Sequence, residues 1–195
     1  AIAAIFAAAI AAMEAAVDNG LLVGFENNEI RPKNNLTRAE MAAVMARAFG
    51  AITMADISAY TDVAYDAWYY ESIAKAVQMG AMTGKSATQM CPSCNITREE
   101  AFSVLGRILA LSDADTSVLS KFYDAASVSS WAAGNIAALV RRGYVNGDDL
   151  GNLNPKANIT REEFAQVMHN MIKRYITNPG TYAEVLPGIT VVRCG

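Results

Sequence analysis

The chain has 195 residues, 53% of them hydrophobic, and 16 Lys and Arg against 19 Asp and Glu give a formal net charge of -3. That apolar fraction can fill a buried core, and the slight negative balance argues against nucleic acid, whose binders usually carry a basic face. Any anion recognised here must be met by local geometry rather than by bulk charge.

Residues 1–17 hold ten alanines, with Glu14 as their one charge. A signal-peptide core or membrane segment could have that composition, but no basic region leads it and it is short for a span. A repeat gives it a better reading. Gly20 and Gly24 precede Pro32 and Thr37-Arg38-Ala39-Glu40. Gly80 and Gly84 precede Pro92 and Thr97-Arg98-Glu99-Glu100, and Gly143 and Gly147 precede Pro155 and Thr160-Arg161-Glu162-Glu163. The second glycine stands 13 residues before the threonine each time, and the proline 5 before it. The chain is therefore a tandem array of one unit, with offsets of 60 and 63 residues, and units that small should pack on one another. We place them at 1–51, 58–111 and 119–176, followed by a tail at 177–195. Shifted by 60, Ile10, Met13, Ala16 and Val17 fall on Tyr70, Ile73, Ala76 and Val77, so the apolar start reads as the first helix of the first unit. A chain without a leader can still be an exported one, since leaders are removed.

Each unit reads as helix, loop, helix. The first helix covers roughly 3–18, 66–79 and 129–142, and Gly20, Gly80 and Gly143 follow it as C-cap glycines. The loop that holds Gly24, Gly84 or Gly147 and then the proline is irregular or a short hairpin. The second helix starts at the threonine, because Thr-x-x-Glu is a capping box. Its apolar positions match across units: Met41, Val44, Met45, Ala48; Ala101, Val104, Leu105, Ile108; Phe164, Val167, Met168, Met171. This is one buried stripe per helix, with the methionines as core fill. The fold class is mainly α.

Arg38, Arg98 and Arg161 sit at the first helical position, where a cation opposes the helix macrodipole. One reading pairs each with a glutamate such as Glu40, Glu100 or Glu163, or packs its stem. The other lets arginine and free helix amides converge on a small anion, for which a carboxylate held bidentately is well suited. Trp68 and Trp131 each lie 12 residues before the first glycine of their unit and follow Asp62 and Asp124. They read either as core or as flat faces for a pyranose, with the aspartates accepting sugar hydroxyls. Gly24, Gly84 and Gly147 let backbone approach a ligand, or permit a turn.

The loop of the second unit carries Cys91-Pro92-Ser93-Cys94, where the other units have Arg31/Asn34 and Asn154/Ala157. Zinc lacks a fourth ligand, since His169, the single histidine, sits in a helix; a thioredoxin-like setting is also missing. A local disulfide or two free thiols remain, and no metal or cofactor is expected. Segments 51–60 and 112–121 are linkers, and Asp113-Ala114-Asp115 is too short for a calcium loop. After Tyr175, proline-glycine turns and β-branched residues suggest a strand on the bundle or a lead into a further region; Cys194 lies there alone.

On the three Thr-Arg-x-Glu motifs and the pattern Asp62, Trp68, Gly80, Gly84, then Asp124, Trp131, Gly143, Gly147, the chain resembles a triplet of S-layer homology domains over about 3–176. The resemblance implies a pseudo-threefold assembly around a central helical bundle. It also implies inter-unit grooves that bind secondary cell wall polysaccharide, often through a pyruvylated terminal sugar, at the bacterial cell surface. By that carry-over Arg38, Arg98 and Arg161 contact the anion, Trp68, Trp131, Asp62 and Asp124 line the grooves, and nothing is catalysed. No membrane span is expected. The first unit has Ala8 for tryptophan and no acidic residue before it, which puts its groove in doubt; the third has Asn170 where the others have Arg47 and Arg107, so that later arginine is not a shared requirement. At most two competent grooves are expected. The alternative is a lattice or filament subunit acting through other copies of itself. An enzyme would have to rest on the CxxC or on glutamates that capping already explains.

Overall fold

The computed structural model describes residues 11–18, 20, 22–23 and 29–176, with side chains described as far as Met171. Ala8, Gly24 and the tail at 177–195 with Cys194 lie outside the described residues. Helix α1 covers 11–18 of the described chain. The others are α2 (Arg38–Ala48), α3 (Tyr70–Gln78), α4 (Arg98–Ile108), α5 (Ser130–Arg141) and α6 (Arg161–Ile176). Short 3-10 turns occupy Ser117–Lys121 and Ala125–Ser127, and no named strand occurs among the described residues.

The capping boxes form as expected. Thr37 N–H donates to Glu40 Oε2 at 2.8 Å while Glu40 N–H donates to Thr37 Oγ1 at 3.2 Å. The same reciprocal pair joins Thr97 with Glu100 and Thr160 with Glu163. Each such cap contributes about 1 kcal/mol. The expected C-cap glycines adopt the left-handed conformation, with φ of 66°, 68° and 71° at Gly20, Gly80 and Gly143. Helix α3 begins four residues later than the sequence suggests. Residues Ala64 to Tyr70 instead form successive turns, in which Ala67 and Tyr70 donate to the carbonyls of Ala64 and Ala67.

The three units close into a ring through backbone. Leu36 N–H donates to Ile159 O, Ile159 N–H to Ile96 O, and Ile96 N–H to Leu36 O, at 2.9, 3.0 and 3.0 Å. All three side chains are fully buried. The next two amides of each central helix also point across a unit boundary. Arg38 and Ala39 donate to Cys94 O and Pro92 O, Arg98 and Glu99 to Ala157 O and Pro155 O, and Arg161 and Glu162 to Asn34 O and Pro32 O. The proline loop of each unit thus caps the central helix of its neighbour, and the third unit is capped by the first. The residue before each proline holds positive φ to aim those carbonyls: 47° at Arg31, 57° at Cys91 and 52° at Asn154.

Outside the ring, α3 packs on α2 and α5 on α4, so the first helix of a unit lies on the central helix of the unit before it. One contiguous core links the units, and Met13, Met41, Met45, Met82, Met90, Met168 and Met171 fill it. The linkers are tied down: Ile57 and Leu119 are buried, and Arg141 holds Asp113 and Asp115 at 2.7 and 3.2 Å.

The boundaries differ chemically at one place. Lys156 reaches Glu99 and Lys33 reaches Glu162, both at 2.5 Å, across two of the three boundaries. At the third boundary the equivalent residues are Ser93 and Ala39, and there a disulfide joins Cys91 to Cys94 within the capping loop. It decides between the two states left open for this pair.

Candidate functional site

Two grooves follow from the helix packing. The first runs between α2 and α3 and has a volume of about 470 Å³; Arg47, Tyr65, Trp68, Tyr70, Glu71 and Lys75 are among its walls. That size suits a small ligand, for which pockets of about 300–1,000 Å³ are usual. The second lies between α4 and α5, where Arg38, Thr83, Gly84, Lys85, Glu100, Arg107 and Trp131 enclose about 170 Å³. Each groove sets a tryptophan of one unit opposite an arginine of the unit before it. The indoles are 65% exposed at Trp68 and 57% at Trp131, which removes the reading of these rings as core. A large aromatic face left open beside fixed cations is what a sugar ring with a charged substituent could use.

The arginines of the Thr-Arg-x-Glu motifs occupy a different position. Arg38, Arg98 and Arg161 are only 6%, 8% and 2% exposed, and each reaches across a unit boundary. Arg38 donates to Met90 O at 2.8 Å and to Thr83 O at 2.7 Å. Arg98 donates to Leu153 O at 2.7 Å, pairs with Glu163 at 3.0 Å, and lies 5.3 Å from the Phe102 ring centroid. Arg161 donates to Ile30 O at 3.0 Å and Val23 O at 2.9 Å and pairs with Glu40 at 2.6 Å. The expected glutamate pairing therefore exists for Arg98 and Arg161, with the glutamate of the following unit, whereas Arg38 is held by loop carbonyls. The expectation of free helix amides beside these arginines does not hold, because loop carbonyls take the first two and the threonine hydroxyl a third. Of the three arginines, Arg38 also lines the second groove.

Asp62 and Asp124 serve the same clamps. Asp62 accepts from Met90 N–H at 2.9 Å and Cys91 N–H at 2.6 Å. Asp124 accepts from Leu153 N–H at 2.8 Å and Asn154 N–H at 2.7 Å. Each carboxylate fixes the amides of a loop whose carbonyl receives an arginine. Gly84 and Gly147 allow close packing. A Cβ on Gly84 would stand 2.4 Å from Ser86 O and 2.5 Å from Tyr60 Cε1, and one on Gly147 would stand 2.7 Å from Phe122 Cε1. Gly84→Ala should therefore lower stability by about 1–3 kcal/mol, read as a shift in the urea midpoint, since backbone must move to relieve the overlap.

Sequence reasoning did not single out Lys85, Glu100 as a groove residue, or the role of Arg47 and Arg107. The signal was present: Arg47 and Arg107 occupy the same repeat position, and both ended up facing tryptophan. Burial lowers the pKa of both guanidiniums. Arg107 makes no hydrogen bond or ion pair among the described residues, and its charge also lowers the pKa of Arg38, which burial lowers most and Glu100 partly restores. In the third unit that repeat position is Asn170, whose amide donates to Tyr144 O at 3.2 Å.

Glu100 joins the cap to the groove, accepting from Thr97 N–H while pairing with Lys85. Burial works against its ionisation, but Lys85, the Thr97 amide and the Arg38 charge together hold its carboxyl below the ordinary glutamate value. A folded-state pKa below the unfolded one gives stability that is present above the unfolded value and lost as pH falls through the folded one. Glu100→Gln should therefore flatten the acid limb of a urea-midpoint-versus-pH profile, with an unchanged limb contradicting the linkage.

Comparison with known proteins agrees with this architecture. A sequence model described as "S-layer homology domain" matches residues 5–42, 59–102 and 121–165. Among similar proteins is the "Surface-layer 125 kDa protein" of Lysinibacillus sphaericus, 34% identical over 171 residues, which are 86% of this chain and 14% of that protein. The "Cellulosome-anchoring protein" of Acetivibrio thermocellus is 28% identical, over 78% of this chain and 35% of its own length. "Exoglucanase XynX" of Acetivibrio thermocellus is 26% identical, over 83% of this chain and 15% of its own length. The chain thus spans a minor part of these relatives. No helix among the described residues is long and apolar enough to cross a membrane.

Proposed function

Because this chain belongs to the S-layer homology domain family, we propose that it is a non-catalytic module that anchors a protein to the bacterial cell wall from outside the cell. Its ligand in this reading is secondary cell wall polysaccharide, and the end that docks is a pyruvylated terminal sugar. The observation that carries the reading is the repeated pairing of an exposed tryptophan with an arginine of the preceding unit, Trp68 with Arg47 and Trp131 with Arg107. The indole takes the apolar face of a pyranose, and the cations take the ketal carboxylate. Arg38 contributes positive field from the wall of the Trp131 groove, Arg98 and Arg161 hold the unit boundaries, and Asp62 and Asp124 fix the loops that receive Arg38 and Arg98. Gly84 is the position in the Trp131 groove at which backbone comes closest to the sugar.

We further propose two working grooves. Trp68 and Trp131 supply one each, whereas the repeat position of Arg47 and Arg107 is neutral at Asn170 and that of the tryptophans is Ala8. Two weak sites on one rigid frame suffice for retention, because linkage raises the effective ligand concentration to about the millimolar range. Soluble polysaccharide released from the cell wall should displace the chain from wall fragments in proportion to its concentration. A lattice subunit acting through protein contacts is the second reading, favoured by the surface-layer relative. That reading requires self-association on size exclusion without any glycan, and indifference to the soluble competitor.

A further inference from the structure

Lys85 is the groove residue that the repeat does not explain. The position after the second glycine is Phe25, Lys85 and Asp148 in the three units, so a cation there is a property of one unit alone. Asp148 turns inward on its own loop, accepting from Leu150 N–H at 2.9 Å and Asn152 N–H at 2.8 Å. Lys85 instead crosses to Glu100 on α4, and the pair forms part of the wall of the Trp131 groove. Three cations, Arg38, Lys85 and Arg107, line that groove against the one carboxylate of Glu100. The balance is positive in a small concave space, where local charge outweighs the net charge of the chain.

The three cations differ in how available they are. Arg38 spends its guanidinium on Met90 O and Thr83 O, and burial holds it there. Arg107 faces the groove with no hydrogen bond or ion pair among the described residues. Lys85 is held by an ion pair in which the lysine side chain is 43% and the glutamate 20% exposed, so the lysine end is open to solvent and to a competing anion.

We infer that the Lys85–Glu100 pair is an exchangeable latch that makes the Trp131 groove the more anion-selective of the two. An incoming sugar carboxylate replaces Glu100 as the partner of Lys85, with Arg107 as its second contact. Glu100 then keeps its capping bond to Thr97 N–H, so the exchange costs no helix cap. No covalent bond changes. This inference rests on the carbohydrate-binding reading and adds a difference between the two grooves: at the Trp68 groove the carboxylate meets Arg47, and at the Trp131 groove it meets Arg107 together with the lysine that the latch releases.

The chain has two tryptophans, one per groove, so their indole N–H signals report each groove separately. The probes are a 4,6-pyruvate ketal of a hexosamine methyl glycoside and its neutral methyl ester, titrated into the isotope-labelled chain. For the acid, Lys85→Gln should weaken the Trp131 site by about tenfold and leave the Trp68 site unchanged. Glu100→Gln, which frees Lys85 without removing the cap acceptor, should strengthen the Trp131 site several-fold. Neither variant should alter affinity for the ester. Acid affinity at Trp131 that is equal in all three chains, or that falls in both variants, overturns the latch while leaving carbohydrate binding intact. No response of either indole to acid or ester overturns the carbohydrate reading and the latch with it.

Discussion

Arg161→Ala should destabilise the fold by about 3–5 kcal/mol, the usual cost of removing one partner of a buried ion pair. Arg161 is 2% exposed and satisfies three groups at once: the Glu40 carboxylate and the carbonyls of Ile30 and Val23. Those groups belong to the first unit, and Arg161 belongs to the third, so its loss opens the ring at the boundary between those two units. The two carbonyls then lose this donor, and Glu40 keeps only its Thr37 contacts on Oε2, with Oε1 stripped of the guanidinium. Arg161→Lys should recover only part of the loss, since one ammonium cannot reproduce a planar fork. Arg38→Ala should cost less, because Arg38 serves two carbonyls and forms no direct ion pair among the described residues. Chemical unfolding without glycan reads these differences. An Arg161→Ala midpoint within about 0.5 kcal/mol of the parent would show that the arginine clamps do not hold the ring.

The tryptophans predict the opposite combination. Both are more than half exposed, so Trp68→Ala and Trp131→Ala should leave unfolding midpoints within about 0.5 kcal/mol of the parent. Each should nevertheless weaken glycan binding by about tenfold through the lost ring face. The double variant loses both sites and with them the gain from linkage, so its retention on wall polymer should fall by more than about a hundredfold. This contrast matters for assay design. An arginine variant that fails to bind has two explanations, folding and contact, whereas a folded tryptophan variant that fails to bind has one.

Much of this architecture was legible because the repeat fixes several independent signals in register. Thr37, Thr97 and Thr160 as caps, Gly20, Gly80 and Gly143 as helix ends, and the methionine-bearing stripes all follow from local rules of capping and periodicity. The arginines were legible as unusual but not as clamps. Their partners are carbonyls and glutamates of another unit, and no sequence spacing states which unit follows which around a ring. The same holds for Asp62 and Asp124, whose acceptor role toward backbone amides depends on the positive φ at Cys91 and Asn154. Repetition alone does not mark Arg47 and Arg107, because Asn170 breaks the pattern. Packing each first helix on the preceding central helix gives that break its meaning: a missing arginine and a missing tryptophan are repeat positions that face each other in the two described grooves. The disulfide between Cys91 and Cys94 belongs to the same boundary logic, standing where Ala39 and Ser93 replace a Glu–Lys pair.

The most direct test of the central claim is co-sedimentation of the chain with cell-wall sacculi, native and after mild acid has removed the secondary polymer. The account predicts that the chain pellets with native sacculi and stays in solution with stripped ones. Equal pelleting with both would place the binding partner in the remaining wall or in protein, and would contradict a glycan-anchoring role for these grooves.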